Sequence, residues 1–196
     1  MTPAAADLAF LAPGFVHHLG NVLFAMQGHV LQADAAAAGP ALQAIAGQVD
    51  RSASALRLFR HAIGDAGPEP APAARTLLEL AELARVGARE AGVRLEVAAA
   101  EPVGRSVDLS NFVPATLAAI RALLAAIPSG MPAVVHATWS EASGRLRLAV
   151  APQAGSLPFP LDLPGAAAAW TQRVHANAWP WRLDASVGQF ELVSTE

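Results

Sequence analysis

The sequence predicts an α+β chain: an N-terminal antiparallel helical hairpin, then an α/β sandwich with helices on one face of a mixed sheet. Three observations lead there. Apolar residues recur at helical spacing through residues 15–30 and 42–63, and the run Gly64-Asp65-Ala66-Gly67-Pro68-Glu69-Pro70-Ala71-Pro72 interrupts them. Beyond that run, helical and alternating segments interleave, which is the pattern of a layered α+β unit.

The first helix carries Phe15, Leu19, Val22, Leu23, Met26 and Val30 around one side. At about 100° per residue, His17 falls opposite them, with Asn21, Phe24 and Gly28 close by. His17 is therefore expected to stand in solvent. The Gly39-Pro40 pair then marks the change from one helix to the next, and a short turn implies antiparallel neighbours. The second helix places Leu42, Ile45, Val49, Ser52, Leu56, Phe59 and Ile63 at alternating spacings of three and four, a heptad seam. Two such helices leave part of their stripes bare, so a second copy completing a four-helix bundle, hence a homodimer, is expected.

The Gly/Pro-rich run divides the chain into 1–66, a linker at 67–72, and 73–196. In the second part, Leu77, Leu80, Ala81, Ala84 and Ala88 lie at helical spacing, and Gly92 closes the helix. Val93-Arg94-Leu95-Glu96-Val97 alternates as a strand. Leu109 to Ile127 reads as an apolar helix, residues 133–139 and 145–150 as strands flanking the turn Glu141-Ala142-Ser143-Gly144, and 165–176 as a helix. Residues 181–185 and 190–194 end the chain as a hairpin around Gly188.

Composition narrows the function. With 196 residues, 54% of them hydrophobic and 15% charged, the chain can bury a substantial core. A net charge of −3 and the lack of any Lys/Arg-rich run argue against a nucleic-acid partner or an electrostatic membrane anchor. The apolar stretch from Phe112 to Ala137 is broken by Arg121, Pro114, Pro128 and Pro132, so it is not expected to span a membrane. Met1-Thr2-Pro3-Ala4 offers no basic start for a secretory signal, and a cytoplasmic location is expected. Having no cysteine, the chain forms no disulfide and no thiolate metal site.

The string His17-His18-Leu19-Gly20-Asn21-Val22-Leu23 resembles the H-box of two-component sensor histidine kinases, whose first histidine accepts a phosphoryl group. An exposed, near-neutral imidazole is suited to that chemistry. The family's next residue is an acid that helps as a base; here it is His18, and Gly20 replaces an asparagine. The order of elements after residue 72 is also similar to the ATP-binding domain that follows the hairpin in these kinases. Glu90-Ala91-Gly92-Val93, Val107-Asp108-Leu109 and Ala126-Ile127-Pro128-Ser129-Gly130 match its landmarks.

The residues that the family uses for ATP are replaced. Positions of the Mg²⁺-binding asparagines fall on Ala118 and Ala122, which have no oxygen ligand to offer a hard cation. Pro152 stands near the family's adenine-reading Asp, the lid shrinks to residues 159–164, and the phosphate turn becomes Gly165-Ala166-Ala167-Ala168-Ala169. The resemblance is thus to bacterial histidine phosphotransferases built from a kinase hairpin and a degenerate ATPase-like domain. It implies that His17 relays a phosphoryl group between aspartates of response-regulator receiver domains without ATP-dependent autophosphorylation. It further implies that Asn21 orients the imidazole or contacts the receiver loop, that Phe24 and Gly28 dock the receiver, and that His18 supports the site or joins the docking. No cofactor is expected, the receiver supplying its own Mg²⁺, and no metal site is expected in the chain. The alternative is a non-catalytic pseudokinase that binds a histidine kinase or response regulator as adaptor or inhibitor.

Overall fold

A computed structural model of the chain describes residues 3–33, 38–99, 104–153, 160–177, 180–186 and 189–194. The elements run α1 (Pro3–Gln32), α2 (Ala38–Ile63), β1 (Pro70–Pro72), α3 (Ala73–Glu90), β2 (Val93–Ala99), β3 (Ser106–Asp108) and α4 (Leu109–Ala126). They continue as β4 (Ala133–Ser140), β5 (Arg145–Pro152), α5 (Leu163–Asn177), β6 (Trp181–Ser186) and β7 (Gln189–Ser194). The expected α+β architecture, a helical hairpin followed by an α/β sandwich, is the one observed. Among the described residues the strands form a main sheet of order β2-β4-β5-β7-β6 and a small one, β1-β3. Within the main sheet β2 and β4 are parallel and the other pairs antiparallel, so the sheet is mixed.

Local chemistry sets the element ends. Gly92, at φ 76°, takes the left-handed conformation that stops α3, and its N–H reaches the Arg89 carbonyl at 2.9 Å. Asp108 caps α4 by accepting from Ser110 N–H at 2.9 Å. Gly144, at φ 62°, closes the β4–β5 turn. Gly39 and Pro40, expected to separate the two helices, fall instead in the first turn of α2, where a proline's missing N–H costs no helical bond; residues 34–37 lie outside the described residues.

Two short strands depart from the sequence reading. Residues 70–72, expected as linker, form β1 and pair with β3 in the register Pro70↔Asp108, Ala71↔Val107, Pro72↔Ser106. Pro70 and Pro72 flank Ala71, the one residue of β1 with an N–H to give a ladder. Residues 67–69 carry no regular structure.

α4 is the centre of the core: Leu109, Phe112, Val113, Leu117, Ile120 and Leu123 are all buried. The same cluster takes in Leu11 of α1, Ala55, Leu58 and Ala62 of α2, and Leu77, Leu80 and Leu83 of α3, so hairpin and sandwich share one core. α1 crosses α3 closely enough that a Cβ at Gly14 would collide with the Leu83 backbone, and one at Gly87 with Phe10. A buried ion cluster adds to this contact. Asp7 is 1% exposed and accepts from Arg121 of α4 at 2.5 Å and from Arg173 of α5 at 3.1 Å.

By length and apolarity alone, α1 (Ala5–Gln32) and α4 could each cross a membrane. α4 is mostly buried inside the protein, and most of α1 is not.

Candidate functional site around His17

The outer face of α1 carries the site. His17 is exposed, and Asn21, one turn on, donates from Nδ2 to its Nε2 at 3.1 Å. In the tautomer that accepts at Nε2, the ring proton is on Nδ1. Nε2 is then the atom with a lone pair, held by a group that can swing away. Phe24, two turns from His17, is 79% exposed, and Leu31 a further seven residues on is 77% exposed. His17, Phe24 and Leu31 thus form one row, and Leu31 is a member the sequence reading passed over. Its seven-residue spacing from Phe24 was the available signal. Gly28 lies partly buried between them, with open space where a Cβ would stand.

His18 is placed differently. It is partly buried and lines a cavity of about 190 Å³ between α1, α2 and α3, shared with Asp50, Ser54, Arg75, Glu79 and Glu82. One helical step of about 100° separates it from His17, so the two imidazoles serve different surfaces.

A second feature of the hairpin is a pair of apolar stripes. On α1, Val16, Leu23 and Val30 are 67%, 65% and 61% exposed; on α2, Leu42, Val49 and Leu56 are 66%, 51% and 50% exposed. Each set has a period of seven. The sequence reading puts Leu23 and Val30 on one side of the helix with Val22 and expects part of that side to be bare within one chain. Val22 is buried at 5% exposure, whereas Leu23 and Val30 are left largely exposed. Periodicity gives the side on which a residue lies, and the neighbour that meets that side is a tertiary matter.

The base of the hairpin is wired to the sandwich by charge. His61, whose side chain is fully buried, bonds Glu69 through Nε2 at 3.0 Å, and Arg57 reaches Glu69 at 3.3 Å. The His61 hydrogen bond, followed by the Arg57 charge, holds the Glu69 carboxyl below its ordinary range. Glu69 N–H in turn donates to Asp108 at 3.1 Å. Burial works to raise the Asp108 carboxyl, but hydrogen bonds from Glu69 and Ser110 outweigh it and hold it low.

The positions compared with a nucleotide site are apolar. Ala118 is buried, Ala122 is partly buried, and neither side chain has a ligating atom. Nearby, Trp170 of α5 packs on α4 and donates from Nε1 to the Ala115 carbonyl at 3.1 Å. Residues 165–169 are a turn of α5 and not an open glycine loop. The described residues of this region therefore do not fit Mg²⁺ or a triphosphate. No group of three or more His, Asp or Glu with metal-ligand geometry occurs among the described residues.

No family model and no curated protein matches the chain. Among solved structures it is similar to a bacterial phosphotransferase at 16% identity, covering 98% of this chain and 97% of that one, with a TM-score of 0.40. It is also similar to the histidine kinase AdeS of Acinetobacter baumannii (14% identity, 92% and 98% coverage, TM-score 0.44) and to a histidine kinase of Burkholderia phymatum (17% identity, 98% and 96% coverage, TM-score 0.40).

Proposed function

We propose that this protein is a histidine phosphotransferase that works as a homodimer and carries a phosphoryl group on His17 between receiver-domain aspartates. The observation that carries the reading is His17 on an open helix face, Nε2 turned to Asn21, above the exposed Phe24. In the transfer, the Nε2 lone pair attacks the phosphorus of an aspartyl phosphate. The bond from phosphorus to the carboxylate oxygen breaks, its electron pair returns to the carboxylate, and the charge arriving on the ring is relieved by loss of the Nδ1 proton. The reverse step loads the next receiver. Mg²⁺ belongs to the receiver, and the chain itself uses no cofactor. Phe24 and Leu31 supply the apolar anchors that a docking surface uses. Ala118, Ala122 and the packed Trp170 support relay over autophosphorylation.

The exposed heptad stripes of α1 and α2 support the dimer, because two copies can bury them against each other as one bundle. Incubation with phosphorylated receivers should place acid-labile, base-stable phosphate on the unmodified protein and none on His17→Gln, with receiver binding retained. If no receiver of the organism labels the unmodified protein, while Phe24→Ala still disturbs signalling, the protein is an adaptor and not a relay.

A further inference from the structure

β2 is an outer strand of the main sheet: β4 pairs with one of its edges, and nothing among the described residues pairs with the other. Its register with β4 runs unbroken from Val93↔Ala133 to Ala99↔Trp139, and none of its seven residues is proline. A strand edge of this kind presents a row of N–H and C=O groups from alternate residues, which proteins commonly blunt with a proline, a bulge or a very short strand. β2 uses none of these three.

An open groove of about 480 Å³ is lined by residues 92–96, Gln153 and two arginines of α3, Arg85 and Arg89. A groove on one face of a strand would touch every second residue, so five consecutive lining residues place it along the edge. Gly92, at φ 76°, turns α3 directly into β2, and helix and strand therefore run side by side in opposite directions.

The charges on the two sides of this edge differ. Val93 and Leu95 are buried on the helix side, while Arg94 and Glu96 alternate to the other face. There Arg94 pairs with Glu96 at 2.8 Å and Glu96 also meets His136 at 3.3 Å, so that face is balanced. On the helix side Arg85 pairs with Glu82, an exposed contact of the kind that exchanges readily for another partner. Arg89 has no side-chain ion pair or hydrogen bond among the described residues, and Glu90 projects about 100° away from it around the helix. Arg85 and Arg89 are one turn apart, about 6 Å along α3. Residues i and i+2 of an extended chain share a face at about 6.6–6.8 Å, so a strand added to β2 can set one acid before each arginine.

We infer that the free edge of β2 takes up an extended acidic segment of a partner protein, its main chain bonding the strand and its alternate carboxylates facing Arg85 and Arg89. Nothing in the relay reading of His17 requires this groove, so each can fail without the other.

The test uses ¹⁵N-labelled full-length protein with assigned amide resonances, titrated with acetyl-Thr-Glu-Thr-Glu-Thr-Glu-Thr-amide. One control peptide has lysine in place of glutamate; the other keeps the glutamates but is N-methylated at every residue, which removes its N–H donors. The acidic peptide should shift the amide signals of residues 93–97 with a Kd of about 1 mM or tighter, while those of β6, the opposite edge, stay in place. Both controls should bind at least roughly tenfold more weakly, and Arg89→Gln should weaken the acidic peptide roughly tenfold with the free spectrum otherwise unchanged. Motionless signals at 93–97 with millimolar peptide overturn the proposal, as does equal binding of either control or an unaltered affinity in Arg89→Gln. Shifts at 93–97 that follow protein concentration without peptide assign the edge to a second copy of the chain and overturn it too.

Discussion

Asp7 on α1 is ion-paired with Arg173 on α5, 166 residues further along the chain, and the same carboxylate holds Arg121 of α4. One buried acid thereby ties the first helix to two helices of the sandwich. Desolvation lowers the pKa of both arginines, and the Asp7 charge offsets part of that cost.

Asp7→Asn is accordingly expected to be costly. It removes the negative charge but leaves both guanidinium groups where they are, and breaking a buried pair on one side costs about 3–5 kcal/mol. Urea unfolding should show the midpoint falling in proportion. A loss below about 1 kcal/mol, the range of exposed pairs, would mean that Arg121 and Arg173 reach water without Asp7.

The Gly14–Leu83 crossing makes an independent prediction. Because a Cβ at Gly14 would collide with backbone and not with a movable side chain, Gly14→Ala forces α1 away from α3. Overpacking of this kind costs about 1–3 kcal/mol. Gly28→Ala, on the same helix with open space around it, should be neutral or slightly stabilising. Equal thermal shifts for the two variants would remove the crossing as a determinant of the fold.

Acid should loosen the junction between hairpin and sandwich. The Asp108 and Glu69 carboxyls lie below their ordinary values in the folded protein. A depressed folded pKa gives stability that is fully present above the unfolded value, about 4 for these groups, and lost as pH falls through the folded one. Unfolding free energy should thus be flat from pH 7 to about 5 and decline below about 4. Asp108→Asn should flatten that decline; it keeps an oxygen to cap Ser110 N–H but sets an amide N–H₂ where the carboxylate accepts from the Ser110 hydroxyl and Asn111 amide, at a cost of about 1 kcal/mol at neutral pH. An unchanged acid limb in Asp108→Asn would assign the decline to other carboxylates, Glu191 with its Arg147 and Arg145 partners first among them.

Much of this architecture was legible in the sequence for a simple reason: its elements are long and their periodicity is strong. The apolar run of α4 and the alternation of β4 and β5 needed no tertiary information, and His17 was placed in solvent by helical angle alone. What escaped was set by partners distant in sequence. β1 and β3 are three residues each and exist only because they pair with each other. The acid at Asp7 finds its arginines 114 and 166 residues away. Leu23 and Leu31 lie in two neighbouring rows of α1 that a helical wheel can locate, but the wheel does not say whether either row meets the sandwich or solvent. For His18 the wheel gave the direction and not the cavity at its end.

The exposed stripes lead to the last prediction, which concerns assembly. Leu42, Val49 and Leu56 of α2 and Val16, Leu23 and Val30 of α1 repeat every seven residues on the side of the hairpin that the shared core does not use. In the proposed dimer they face a second copy, so the protein should have twice its chain mass of 20.1 kDa in light scattering. Val49→Glu would place an unpaired charge in that seam, and the cost of several kcal/mol should dissociate the dimer. Leu11, Ala55 and Leu58 seat the hairpin on the sandwich independently of the seam, so the variant should remain folded and run as a monomer. Retained near-ultraviolet circular dichroism at half the mass is the expected result. A monomeric unmodified protein, or a Val49→Glu variant still dimeric at micromolar concentration, would remove the bundle from the account and leave the stripes to another surface.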